Sequence, residues 1–380
     1  MMSKKNCYLM YAIACLQGMV FYGPIATLYR QAQGMSVFEI TLIESISLII
    51  CLLLELPWGI VADRIGYKRT MVFCCLLYFV SKIIFWRADG FPAFLLERIL
   101  LSIVIAGLSG VDTSILYLSV PKEESQGAFG FYDGLSTAGL LMAAFVYSIV
   151  IGENYRLAGF LTVISYGLAA VLSLFLAEVK EEGKERMSVK AFCGSLWQTF
   201  TDKRLLLLLL GVAFLNETHQ TVTVFLNQLL YVRAGMSNAL IGYLYIVVTI
   251  VGMSGIFSAA VTKKTGRVFL IRACYLTAAA VCLLLAFGRN GWGAAMGIMV
   301  LRFAFSLFAP LQTQLQNERI MMVERATALS INAVIIDSVG VGTNLIYGAL
   351  AEKSLTAALV SGAALCAVGL VFIERGMKYV

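Results

Sequence analysis

The stretch G-I-V-A-D-R-I-G-Y-K-R-T at residues 59–70 constrains the fold more than any other part of the chain. A long apolar run ends just before it and another begins just after it. Each is about the 20 residues that a helix needs to cross the hydrocarbon core of a bilayer. The expected local structure is therefore a hairpin of two membrane-spanning helices. The same alternation of apolar run and short polar turn continues through all 380 residues, leaving room for about 12 spans and no separate soluble domain. Only 13% of the residues are charged, about half the share of an ordinary soluble domain. The runs are too long, and their polarity too little alternating, for the strands of an outer-membrane barrel.

The net charge of +7 invites a nucleic-acid reading, but its placement argues against one. With the N-terminus taken as cytoplasmic, 19 of the 29 Lys and Arg residues fall on the inner side and 6 on the outer. That is the positive-inside asymmetry, so the basic excess sets topology. Both termini are expected in the cytoplasm. Most of the nine cysteines lie within apolar runs and read as structural thiols. The opening M-M-S-K-K-N and its apolar run resemble a signal peptide without a clear cleavage site, and are read as a retained first helix.

Taken in order, helices are expected at about residues 8–28, 37–58, 71–87, 93–120, 127–151 and 157–176 in the first half. In the second half they are expected at about 205–226, 238–261, 268–287, 292–311, 326–350 and 355–373. Residues 178–204 form the longest hydrophilic stretch. Within it Val189, Phe192, Cys193, Leu196, Trp197 and Phe200 recur at helical spacing. This predicts a short helix lying in the cytoplasmic interface. The domain reading is an N-terminal six-helix bundle over 1–177, a linker over 178–204 and a C-terminal six-helix bundle over 205–380.

The halves echo one another at an offset of about 200 residues. Gly34, Met35 and Ser36 return as Gly235, Met236 and Ser237, and Gly66 returns as Gly266. Glu124 and Ala128 return as Glu324 and Ala328. Chance matches would not share a register. Repeated halves are common in secondary transporters, whose substrate site lies near the membrane midplane.

Gly59, Asp63, Arg64, Gly66, Lys68 and Arg69 resemble the G-x-x-x-D-R-x-G-R-K-x loop of the major facilitator superfamily, with Tyr67 in place of an Arg. The resemblance implies an all-α membrane protein of 12 transmembrane helices in two pseudo-symmetric six-helix bundles, as in a bacterial inner-membrane transporter. It also implies a gating role for these six residues, with Asp63 meeting the start of the eleventh helix near residues 325–327. A carboxylate at a helix N-terminus is physically sound. The bland alternative is a basic turn that only sets topology.

Ionisable residues inside spans are costly and mark function by default. Glu217, Arg302 and Asp337 fall near the middle of their helices, while Asp112, Asp133 and Glu55 lie towards the inner end. Glu44, Glu97 and Arg98 lie towards the outer end, where Glu97 and Arg98 can snorkel to water. Glu217, Asp337, Arg302, Asp112 and Asp133 are the proton-coupling candidates. Low dielectric favours the neutral form of an acid, so Glu217 is the first choice of carrier and Asp337 the second. The alternative is a static ion pair between Arg302 and one of the acids.

Asn216, Glu217, Thr218, His219, Gln220, Thr221 and Thr223 form a polar patch in the seventh helix. At helical spacing Glu217, Gln220, Thr221 and Gln228 share one face, and Asn216, Thr223 and Asn227 another. In the resembling family helices 1, 4, 7 and 10 line the substrate cavity. On that basis Gln17, Tyr22, Asp112, Glu217, Gln220, Asn227 and Arg302 are substrate-binding candidates. His219, the single histidine, reads as a hydrogen-bonding residue.

No phosphate-binding G-x-x-x-x-G-K-S/T loop, metal-ligand cluster or catalytic constellation is present in the sequence, so neither an enzyme nor a cofactor is expected. The leading expectation is a proton-coupled exporter, an antiporter for a small amphiphilic or cationic compound of the multidrug type. The family's antiporter signature in helix 5 is not recovered, because residues 127–151 lack a Pro. The alternatives are a proton-coupled importer of a small polar metabolite and, from another class, a non-transporting scaffold or receptor. The expected partners are a small-molecule substrate, protons and membrane lipids, and a monomer is expected.

Overall fold

The structure, a computed structural model, describes residues 2–121, 125–179, 201–318 and 325–377. Among them are twelve helices long and apolar enough to cross a membrane. We label them α1 Lys5–Ala32, α2 Val37–Leu54, α3 Tyr67–Arg87, α4 Gly90–Tyr117, α5 Gly127–Ile151 and α6 Tyr155–Leu174 in the first half. The second half contains α7 Lys203–Arg233, α8 Asn238–Thr265, α9 Arg267–Phe287, α10 Gly291–Gln316, α11 Ile331–Lys353 and α12 Leu355–Met377. Large apolar side chains such as Tyr8, Leu53, Val150, Ile256 and Phe287 are exposed on them. Such an exterior suits lipid as solvent. The interfacial helix expected over 189–200 lies outside the described residues.

The stretch 59–70 departs from the expected loop. The helix that begins α2 runs from Val37 to Ile65, and the next begins at Tyr67, so the turn is Gly66 alone. Gly66 has φ +97°, open to glycine and costly for other residues. The charged residues of the motif are thus helical. Polar side chains at a membrane surface need no loop, since the helix satisfies its own backbone while they reach water. Gly266 makes the same one-residue turn between helices Ser258–Thr265 and Arg267–Phe287, with φ +84°. Gly34 and Gly235 match as well, at φ +86° and +75°. The sequence echoes are therefore echoes of backbone conformation.

The chain divides into two compact units. The first holds the chain up to Met35, the chain from Ile46 through α6, and Asn238–Tyr243. Within it α1 crosses α5 at two glycines. A Cβ on Gly18 would collide with the Ser136 carbonyl, and one on Gly139 with the Cys15 carbonyl. Small residues permit this close approach between helices in lipid. Met10, Ile13, Met71, Cys75, Ile115 and Ala169 form a core around it. Asn6 fastens the start of the chain by a reciprocal pair of hydrogen bonds with the backbone of Ala177, at 2.8 and 3.1 Å.

The second unit holds Ser36–Ser45, α7 and its continuation to Ser237, and the chain from Leu244. Its centre is the crossing of α7 and α12. A Cβ on Gly211 would lie 2.8 Å from Ile373 N, and one on Gly376 would lie 2.9 Å from Leu208 N. The Tyr275 hydroxyl donates to the Gly211 carbonyl at 2.8 Å and ties α9 to the same crossing.

Candidate functional site

Helix α7 enters the second unit under an N-cap. The Asp202 carboxylate accepts from Arg204 N at 2.9 Å and Leu205 N at 3.1 Å. Regular α-helix runs from Lys203 to Gln220, then six residues, Thr221–Leu226, take the wider i→i+5 turn before α-helix resumes at Asn227. Such wide turns cluster at functional sites. This one starts only after Gln220, so Glu217 and Gln220 share regular α-helix. Glu217, Thr221 and Gln228 are buried, whereas Gln220 is exposed.

Glu217 and His219 project from α7 to different neighbours. The Glu217 carboxylate lies against α11, where a Cβ on Gly340 would sit 2.9 Å from its Oε1. Thr343 Oγ1 donates to its Oε2 at 3.5 Å, and the Asp337 charge is within electrostatic reach. One hydroxyl at the limit of hydrogen-bond range is weak compensation for a buried carboxylate. Thr218 exchanges a 2.8 Å hydrogen bond with the Tyr347 hydroxyl and clamps the same two helices.

His219 faces α10. Its ring stacks on Phe305 with centroids 3.8 Å apart and planes inclined by 7°, and Arg302 Nη1 donates to its Nε2 at 3.3 Å. A guanidinium has only donors, so Nε2 accepts and the ring proton resides on Nδ1. Arg302 thus bonds to the histidine rather than to Glu217, and the two lie on opposite sides of α7. Reading by depth alone brought them together. Residues two apart on a helix point nearly opposite ways.

Among the described residues, buried polar atoms without hydrogen-bond partners occur in both units, and those of the second include six besides Tyr231 Oη. Asn216 Oδ1, Thr221 Oγ1, Ser254 Oγ, Arg302 Nε, Gln312 Oε1 and Asn332 Nδ2 are buried and have no hydrogen-bond partner. Each such group costs about 1–3 kcal/mol if nothing answers it. Such a group is where water or a polar ligand can belong.

The remaining candidates lie elsewhere. Asn227 is buried, and its Oδ1 accepts from Gln228 N at 2.8 Å, a local turn rather than an offered ligand. In the first unit Gln17 Nε2 approaches Cys75 Sγ at 3.4 Å. Asp112 follows a break in α4 at Gly110, whose φ is +80°. Its Oδ1 accepts from Thr113 N at 2.6 Å and its Oδ2 from the Tyr132 hydroxyl at 3.4 Å. Asp133 is exposed and within electrostatic reach of Asp112.

Tyr22 belongs to a cluster that the sequence reading missed. Lys82 Nζ, nearly fully buried, donates to the Tyr22 hydroxyl at 3.0 Å and to Glu97 Oε1 at 3.4 Å. It also lies over the rings of Tyr78 and Tyr166, at 5.1 and 5.5 Å from their centroids. Glu97 is 0% exposed, so it pairs inward with Lys82 rather than snorkelling outward. Depth suggested water; a lysine 15 residues earlier on the preceding helix decides otherwise.

Of the six motif residues, Arg64 and Arg69 are exposed and Lys68 is half-buried. Gly66 sits against Glu178, whose Oε1 accepts from Lys68 N at 3.1 Å and so caps α3. The side chains at Gly59 and Asp63, and those at 325–327, lie outside the described residues, and so does the expected meeting of Asp63 with the eleventh helix. Among the described residues no group of His, Cys, Asp and Glu is arranged to hold a metal ion.

The comparisons with known proteins agree with this layout. The family model described as the Major Facilitator Superfamily matches residues 7–343. The chain belongs to the Major Facilitator Superfamily. An uncharacterized MFS-type transporter of Methanocaldococcus jannaschii is 26% identical over 196 residues, 49% of this chain and 50% of the relative. The chain therefore spans about half the length of the curated relative it matches. Among solved structures, a mutant form of the nucleoside transporter NupG superposes with a TM-score of 0.84 at 15% identity, covering 100% of both chains. A bacterial homolog of the human lysosomal transporter Spinster gives 0.77 at 14% identity, covering 98% of this chain and 97% of the other. A D-xylose–proton symporter gives 0.73 at 15% identity, covering 100% and 97%. At these identities the likeness shows the fold.

Proposed function

We propose that this chain is a secondary active transporter that moves a small molecule across a cell membrane by alternating access, with Glu217 carrying the coupled proton. The observation behind this reading is the carboxylate of Glu217, buried in a membrane span on a glycine and one long threonine hydrogen bond, without a basic partner among the described residues. A scaffold or receptor has no use for such a costly group. Asp337 is the second acid of the relay, since two nearby carboxylates resist being ionised together.

Efflux of an amphiphilic or cationic compound is the cargo reading that this acid pair supports. Asn216 Oδ1 and Thr221 Oγ1, buried on α7 without partners among the described residues, favour the other reading, a small polar metabolite, and we adopt it for the cargo. Structural neighbours that include a nucleoside transporter and a D-xylose–proton symporter are in keeping with polar cargo. Residues 59–69 serve as the gating hairpin on the cytoplasmic side, with both termini in the cytoplasm.

The test is proton movement in sealed vesicles holding the purified chain under a set pH gradient. Nucleosides, pentoses, small carboxylates and lipophilic cations are added in turn. Substrate-triggered proton flux that disappears in Glu217→Gln, while cargo still binds, is the expected result. Cargo equilibration without proton movement would sink the coupling. A proton response to lipophilic cations alone would restore the multidrug reading.

A further inference from the structure

The chain buries two basic side chains in very different company. Lys82 has an acid, a phenol and tyrosine rings around it. The side chain of Arg302, in the middle of α10, has among the described residues one hydrogen bond, to a neutral imidazole nitrogen. Its Nε is buried and without a partner. The guanidinium turns its Nε–Nη2 edge to α8 at Gly252, where a Cβ would fall 2.5 Å from both Nε and Nη2 and 2.9 Å from Cζ. Regular α-helix ends at that glycine and gives way to a tighter turn over Met253–Phe257. The backbone thus makes a seat that fits the arginine closely and offers it no acid.

A guanidinium has five donors in a rigid planar fork suited to two oxygens of one anion. Holding such a charge in a membrane span with a single neutral acceptor is expensive, and residues of this kind pair with something or line a path. Arg302 is half-buried, so part of its fork remains reachable. His219, stacked on Phe305, takes one donor of Nη1, and Gly252 faces the Nε–Nη2 edge, so the Nη1–Nη2 end of the fork is what an incoming group can meet.

From this we infer that Arg302, seated on Gly252 and steadied by His219, is an anion subsite, and that the cargo bears a carboxylate or a phosphate. The inference rests on the proposed transport function and narrows its cargo from small polar molecules to organic anions. Glu217 lies on the other side of α7 against α11, so the carrier acid does not occupy the fork. Proton and anion then have separate places in one unit, and taking up one proton with a monocarboxylate adds no net charge.

The fork suits a lipid phosphate as well as a soluble anion, and the experiment separates the two. Thermal unfolding of the purified chain is followed in uncharged phosphatidylcholine nanodiscs with benzoate, phenyl phosphate and inorganic phosphate, and with benzamide as the uncharged control. The midpoint is expected to rise with at least one anion and to stay put with benzamide. In Arg302→Gln the apparent affinity for that anion is expected to fall about tenfold or more, as for loss of a charge-assisted hydrogen bond. Arg302→Lys, which keeps the charge and loses the fork, should fall between. If Arg302→Gln does not fold, the Arg302→Lys titration and Gly252→Ala, which unseats the guanidinium, carry the same comparison. No shift with any anion, or an equal shift in wild type and variants, overturns the inference. So does a shift produced by adding phosphatidylglycerol to the nanodisc and by no soluble anion. None of these outcomes touches proton flux through Glu217, which stands or falls in the vesicle assay.

Discussion

Lys82 and Glu97 form an ion pair with almost no access to water, its nitrogen and oxygen 3.4 Å apart. Among the described residues Glu97 Oε2 has no hydrogen-bond partner. Removing one member of a buried pair leaves the other as an uncompensated charge and costs about 3–5 kcal/mol, whereas replacing both with apolar groups is often neutral. Here the two sides are unequal. Without Glu97 the ammonium keeps the Tyr22 hydroxyl and the faces of Tyr78 and Tyr166. Without Lys82, no hydrogen bond to the Glu97 carboxylate remains among those seen. We expect Lys82→Met to destabilise more than Glu97→Gln, and the double variant Lys82→Met/Glu97→Leu to recover most of the loss. Unfolding midpoints in one detergent decide it. A double variant as unstable as Lys82→Met would mean that packing, and not charge, is what Lys82 supplies.

At the scale of elements, the two one-residue turns make a controlled comparison. Gly66 and Gly266 have nearly the same backbone, with φ of +97° and +84°. A side chain at this combination of φ and ψ, which is open essentially to glycine, costs about 1–3 kcal/mol in either place. Around Gly266 nothing lies within 4 Å, while at Gly66 a Cβ would come within 2.8 Å of the Glu178 carboxylate and disturb the cap of α3. Gly66→Ala should therefore lower the unfolding midpoint more than Gly266→Ala, and equal shifts would remove Glu178 from the account. These turns also mark what was legible beforehand. Apolar runs and glycine spacing report the helices and their repeat, because crossing lipid leaves few other solutions. Whether residues 59–65 are loop or helix depends on water at the membrane surface, and composition is silent on that. The wide turn at Thr221–Leu226 leaves no mark on hydrophobic spacing, so the register of α7 beyond Gln220 is not legible in the sequence. His219 and Arg302 meet across 83 residues, a separation at which one sequence carries no record of contact. The titratable residues were visible from their cost in lipid; their partners were not.

Over the whole molecule, each unit borrows a short segment from the other half of the chain: Asn238–Tyr243 in one case, Ser36–Ser45 in the other. Each loan is fastened alike. In the second unit Thr41 presses on Gly348, where a Cβ would lie 3.0 Å from the Thr41 Cβ, and Ser45 Oγ donates to the Val341 carbonyl at 3.0 Å. Phe38 N donates to Glu352 Oε2 at 3.1 Å. In the first unit Gly242 presses on Ser148, where a Cβ would lie 3.3 Å from the Ser148 Cβ, and Asn238 Nδ2 donates to the Tyr155 hydroxyl at 2.9 Å. Thr41 and Gly242, like Ser148 and Gly348, stand about 200 positions apart, the register of the sequence echoes. One contact has thus been built twice with the glycine on opposite partners. If the chain works by alternating access, the borrowed segments have to leave their hosts in each cycle, and small residues allow tight packing without side chains that must disentangle. The Cβ separations approach those of a disulfide. Thr41→Cys/Gly348→Cys and Ser148→Cys/Gly242→Cys should each cross-link under mild oxidation and arrest flux, with a reductant restoring it and the single-cysteine variants unaffected by oxidant. Arrest by both pairs would mean that the two loans are released together. Full flux through a cross-linked chain would mean that the segments stay with their hosts, and that the moving parts of the cycle lie elsewhere.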